Sequence, residues 1–95
     1  RQMCIRDRIK LGRCGNIAGK VRESLVDKGR MVIFAEQAAA EALCAEGRAR
    51  MNAVRRDVQS LTDHASYTTS KIQFLLDATL GLINIEQNRI IKLFS

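Results

Sequence analysis

The side chains able to do chemistry are few and far apart. His64 is the sole histidine, which rules out a His-rich metal site and leaves any Ser–His or Cys–His machinery without a spare base. Asp63 precedes it, but adjacent residues on a helix point about 100° apart, so the pair reads as solvated surface. Cys4, Cys14 and Cys44 form no C-x-x-C pair, and an odd count closes no disulfide framework. Free, unpatterned thiols suit a reducing compartment. Glu41 and Glu46 have no histidine at metal-binding spacing. The run Gly12-Arg13-Cys14-Gly15-Asn16-Ile17-Ala18-Gly19-Lys20-Val21 imitates a phosphate loop and fails it. Cys14 stands where glycine is required, Val21 stands where Ser or Thr is required, and no strand precedes. Arg55-Arg56 and the N-terminal basic residues lack interleaved aromatics and any helix-turn-helix or zinc pattern, so no nucleic-acid partner is expected. With no nucleophile–base or acid pair, no enzyme is expected.

One acid stands out by its company. Asp77 interrupts Ile72-Gln73-Phe74-Leu75-Leu76-Asp77-Ala78-Thr79-Leu80-Gly81-Leu82-Ile83-Asn84-Ile85, a stretch otherwise apolar nearly all round. A helix of that character is buried among partners. Its polar exceptions are ordered. At about 100° per residue, Ser66, Ser70, Gln73, Asp77, Gly81, Asn84, Asn88, Ile91 and Ser95 fall within about 40° of one line. Buried polar groups need partners or water. In a ring of identical helices this stripe would line a wet axis; in a packed pair it is a solvent-facing seam.

The elements that position these residues are helical. The chain has 95 residues, no Pro and no Trp, is 46% hydrophobic and only 4% aromatic. That absence of proline argues for long uninterrupted helix and against a loop-rich or sandwich fold. The first segment places Ile17, Val21, Leu25, Val32 and Ala35/Ala39 at helical spacing, flanked by Ala18 and Phe34. Gly12, Gly15 and Gly19 weaken its start by about 1 kcal/mol each relative to Ala. The strong helix formers Ala38–Leu43 extend it, and Gly47 is the expected C-terminal break, with Asn52 a second candidate. From about Arg48, two lines seven residues apart, Val54-Leu61-Thr68-Leu75-Leu82 and Val58-Ala65-Ile72-Thr79, make a heptad-like pattern diluted by threonine. The expected fold is all-α, a long antiparallel helical hairpin whose second helix is a stalk of about 45 residues. Such a helix on one weak stripe needs partners. No run of about 18 uninterrupted apolar residues is present to span a membrane.

Charge is uneven: residues 1–50 carry eleven basic and six acidic side chains, residues 51–95 five and four. Both ends look unlike natural termini. Residue 1 is Arg, and Gln2-Met3-Cys4-Ile5-Arg6-Asp7-Arg8 resembles translated sequencing-adapter read-through from metagenomic reading frames. The chain stops at Ile90-Ile91-Lys92-Leu93-Phe94-Ser95 without a capping signal. The expected organisation is a non-native leader over 1–8, one helix over 9–46, and a stalk over 47–95 cut as it enters a further helix.

From Asp57 to Ser95 the sequence resembles the CorA-type magnesium and cobalt transporters. Leu76-Asp77-Ala78-Thr79-Leu80-Gly81-Leu82-Ile83-Asn84-Ile85-Glu86-Gln87-Asn88-Arg89-Ile90-Ile91-Lys92-Leu93-Phe94-Ser95 carries most of the likeness, and Arg55–His64 fits the same family. The resemblance implies a homopentamer in a bacterial inner membrane, with the last cytoplasmic helix and the stalk supplied here, mainly on the cytoplasmic side. It implies Mg²⁺, with Co²⁺ a further cargo, as transported and regulatory ion. By position, Asp77 matches a carboxylate that helps hold a regulatory divalent ion between subunits. Asn88, Ile91 and Phe94 match pore-facing positions, and Lys92 matches a basic residue at the membrane interface, in keeping with the positive-inside rule. The Gly-Met-Asn signature of the family is absent. The alternative from periodicity is a soluble helical-hairpin or coiled-coil structural adaptor.

Overall fold

A computed structural model of the chain describes the backbone of residues 2–95 and the side chains from Ile5 onward. Of the expected leader, Arg1 lies outside the described residues; Gln2–Arg8 continue the first helix. With no proline to break the backbone ladder, the chain forms α1 (Gln2–Ala38, 37 residues) and α2 (Ala45–Phe94, 50 residues). The two pack antiparallel into a rod of 76 × 16 × 15 Å. The length is that of α2 alone at about 1.5 Å per residue. The hairpin is the one expected from sequence.

The turn is not where glycine suggested. It occupies residues 39–44, inside the alanine run, and Gly47 lies in the first turn of α2. A C-terminal glycine is needed where the backbone adopts positive φ, and no described residue does so. Ala39 N donates to Ala35 O and Leu43 N to Ala39 O, both at 3.0 Å, so the chain turns within ordinary right-handed geometry. Arg48 Nη2 then donates to Ala40 O at 2.8 Å. The α2 start is capped by Cys44, whose Sγ accepts from Gly47 N at 3.4 Å. A Cβ on Gly47 would stand 3.1 Å from Leu43 Cδ2. The glycine is therefore where Leu43 folds back over the start of α2, near the place of a hydrophobic staple. Asn52 lies inside α2.

The seam between the helices keeps a strict alternation of four and three. On α1 it runs Leu11, Gly15, Ala18, Arg22, Leu25, Gly29, Val32, Glu36; on α2 it runs Met51, Arg55, Val58, Thr62, Ala65, Thr69, Ile72, Leu76. Register follows from one close approach and one ordinary contact. The Cβ position of Gly15 is 3.2 Å from Ile72 Cγ2, and that of Gly29 is 3.6 Å from Val58 Cγ1. Gly15 is thus a hole for a knob of α2, not merely a weak point, whereas Gly29 makes an ordinary contact. Only one of the two expected apolar lines of α2 is used. Val58, Ala65, Ile72 and Thr79 turn to α1, whereas Val54, Leu61, Leu75 and Leu82 are exposed. On α1, Ile17, Val21 and Phe34 are exposed as well, because the narrow, glycine-bearing line makes the closer contact.

Threonine suits this seam. The hydroxyls of Thr62, Thr69 and Thr79 donate to the carbonyls of Val58, Ala65 and Leu75 at 2.7, 2.8 and 2.8 Å. Each polar group is satisfied within its own helix. Even so, Ala65 is the one buried apolar residue among those described, at 8% exposure. Phe34, Phe74, Leu82, Ile85 and Leu93 all face outward. Two helices on one thin seam leave most of the apolar side chains without a core.

Candidate cation-handling face of α2

The polar stripe starts at the seam and runs out into the open. Ser66 is half-buried, and its Oγ accepts from Arg22 Nε of α1 at 3.0 Å. That contact takes Ser66 into helix–helix packing. Farther along, Ser70, Gln73, Asp77, Gly81, Asn84 and Asn88 are exposed. They sit about 100° from the seam line of Thr69, Leu76 and Ile83, on the flank of α2 rather than opposite α1.

Asp77 is anchored on this flank. Gln73, one turn earlier, donates from Nε2 to Asp77 Oδ1 at 3.1 Å, the separation at which helical side chains meet. Among the described residues no Lys or Arg forms an ion pair with Asp77, and no cluster of three or more His, Cys, Asp or Glu stands close enough to cage a metal. Between Ser70 and Asn88 this flank of the hairpin thus carries one carboxylate, that of Asp77, and it is exposed. A lone carboxylate is a donor set of the kind Mg²⁺ accepts, since that ion retains several waters and takes one or two carboxylates. It does not fit a metal held by this chain alone.

Asn88, Ile91, Lys92 and Phe94 occupy the last turns of α2. The register that sets Gly15 against Ile72 carries Gln2 to about the level of Ile85, so α1 does not face these turns. Asn88 and Lys92 border a shallow open depression with Ile85, Arg89 and Leu93. Ile91 is 64% and Phe94 88% exposed. Asn88 lies about 16 Å beyond Asp77 along the axis and within about 20° of it in direction. Ile91 departs from Asp77 by about 40°, and Phe94 stands farther round. The fold spaces these residues along the last turns of one helix. No helix among the described residues is long and apolar enough to cross a membrane.

Several polar roles escaped the sequence pattern. Arg22, Glu36 and Arg55 sit on the seam itself. Arg55 Nη2 donates to Asn52 Oδ1 at 3.2 Å, and its Nε lies 3.8 Å from Glu36 Oε1. Glu36 Oε1 is buried and accepts no hydrogen bond from the described residues. The four–three alternation along the two helices was the signal for these positions. Gln73 was legible as a stripe member, and its place four residues before Asp77 was the signal for its bond.

Comparison with known proteins gives a consistent result. Over 80 residues, 84% of its length, the chain is 42% identical to the magnesium transport protein CorA of Yersinia pseudotuberculosis. It is 40% identical over the same share to those of Sodalis glossinidius and Escherichia coli K12. The chain spans about a quarter of the length of these relatives (25%). No family model and no solved structure matches it. The chain is thereby recognised as a segment of the CorA family of magnesium transport proteins.

Proposed function

We propose that this chain is the stalk-bearing part of a membrane transporter for Mg²⁺, with Co²⁺ as a further cargo, in which five copies of α2 surround the ion path. The carrying observation is the extended similarity to CorA magnesium transport proteins. The exposed apolar faces of the hairpin support it, because they call for neighbours. In this reading the polar flank of α2 turns toward the axis. Asp77 contributes one carboxylate to a divalent ion shared with an adjacent subunit. Asn88 offers an amide oxygen to a hydrated ion, while Ile91 and Phe94 form apolar rings that gate by excluding water. Lys92 sits at the cytoplasmic edge of the bacterial inner membrane.

The mechanism is feedback by the transported ion. At high cytoplasmic Mg²⁺, ions near Asp77 offset the repulsion among like carboxylates and hold the stalks together. As Mg²⁺ falls, the carboxylates lose their counter-ions, the stalks part and the apolar constriction wets. The test is limited proteolysis of the full-length transporter across a range of free Mg²⁺. Asp77→Ala should raise the Mg²⁺ concentration needed for protection. An unchanged midpoint would refute a regulatory role for Asp77.

A further inference from the structure

Resting on that reading of Asp77, we propose that Gln73 is the positioning residue of the cation contact. Its amide fixes one carboxylate oxygen and leaves the other to face a hydrated divalent ion. Three observations carry this. Gln73 Nε2 donates to Asp77 Oδ1 at 3.1 Å. Both residues are exposed on the flank of α2, so the bond organises a surface group and fills no core. One turn beyond Asp77, on the same row, stands Gly81, where an added Cβ would meet nothing within 4 Å. Asp77 is thus held by its neighbour four residues before, and its neighbour four residues after carries no side chain. An ion that dehydrates reluctantly needs that room for its water shell.

A built-in comparison exists two heptads earlier. Gln59 Nε2 donates to Asp63 Oδ1 at 3.0 Å, the same bond at the same spacing. The next residue on that row is Tyr67, a large exposed ring (63%), instead of bare backbone. The bond alone therefore does not distinguish the two acids; the open notch at Gly81 does.

The experiment uses the full-length transporter, with MgCl₂ as the probe and the midpoint of protease protection as the readout. Gln73→Leu removes the anchor and should raise the midpoint about two-fold, the size of a side-chain pair one helical turn apart. Gln73→Glu places a second carboxylate beside Asp77 and should lower it. Gln59→Leu breaks the comparison bond and should leave it unchanged. If Asp77→Ala raises the midpoint while both Gln73 variants leave it unmoved, the positioning role is wrong and the ion reading stands. The positioning role is equally overturned if Gln59→Leu shifts the midpoint as much as Gln73→Leu. If Asp77→Ala has no effect, the ion reading itself falls.

Discussion

Replacing Gly15 by Ala tests the register of the hairpin with one added methyl. In an open helical site this change favours folding by about 1 kcal/mol, because Ala orders at less entropic cost. At Gly15 the new Cβ would lie 3.2 Å from Ile72 Cγ2, so Ile72 must give way. Overpacking of that kind costs about 1–3 kcal/mol, which cancels or reverses the gain. Gly12 has nothing within 4 Å of a Cβ, and Gly29 has only an ordinary contact at 3.6 Å. Ala at either should keep the full benefit. For a chain of this size, about 1 kcal/mol moves Tm by about 4–8 °C. Thermal melts followed by circular dichroism, at one fixed concentration because association shifts Tm, should rank Gly12→Ala and Gly29→Ala above the parent and Gly15→Ala at or below it. In an Ile72→Ala background the methyl at 15 meets no clash, and Gly15→Ala should stabilise by about 1 kcal/mol. Absence of coupling between positions 15 and 72 would show that the two do not meet and would refute the seam.

Two further substitutions probe the tip of the hairpin. Cys44→Ser should stabilise α2 by about 0.5–1 kcal/mol, since a hydroxyl caps a helix start better than a thiol; an equal or lower Tm would contradict capping by residue 44. Glu36→Met should be neutral or stabilising by about 1 kcal/mol in the same melts, because the buried Oε1 lacks a hydrogen-bond donor and Arg55 stands off at 3.8 Å. A loss above about 2 kcal/mol would mean that the Glu36–Arg55 pair is worth more than its geometry suggests.

The helices and their pairing were legible because proline is absent and the apolar residues recur at helical spacing. The choice of face was not. α2 carries two apolar lines, and hydrophobicity alone does not say which one meets α1. What decides is the shape of the other helix: Gly15 admits Ile72, Val58 meets Gly29 at ordinary contact distance, and the line from Val54 to Leu82 is left outward. The turn misled for a related reason. Helix propensity in Ala38–Leu43 is a preference of about 1 kcal/mol or less per residue, yet residues 39–44 form the turn and Leu43 folds over Gly47 beyond it. Cysteine is also an unusual cap, so the start of α2 carried no familiar sign. At the candidate site, periodicity grouped Asp77 with Asn88 and Ile91, and all three lie on the one continuous helix α2. The bond from Gln73 and the emptiness beside Gly81 depend on side-chain reach and are properties of the folded surface.

In the proposed assembly the polar flank of α2 faces water and ions along a shared axis. Thiol labelling tests it most directly, in a cysteine-free full-length transporter carrying single Asn88→Cys or Glu86→Cys changes. Glu86 lies about 160° round the helix from Asn88. A water-soluble thiol reagent added from the cytoplasmic side should abolish Mg²⁺ uptake by the Asn88→Cys protein and spare the Glu86→Cys protein. Block through position 86 with position 88 indifferent would contradict the account.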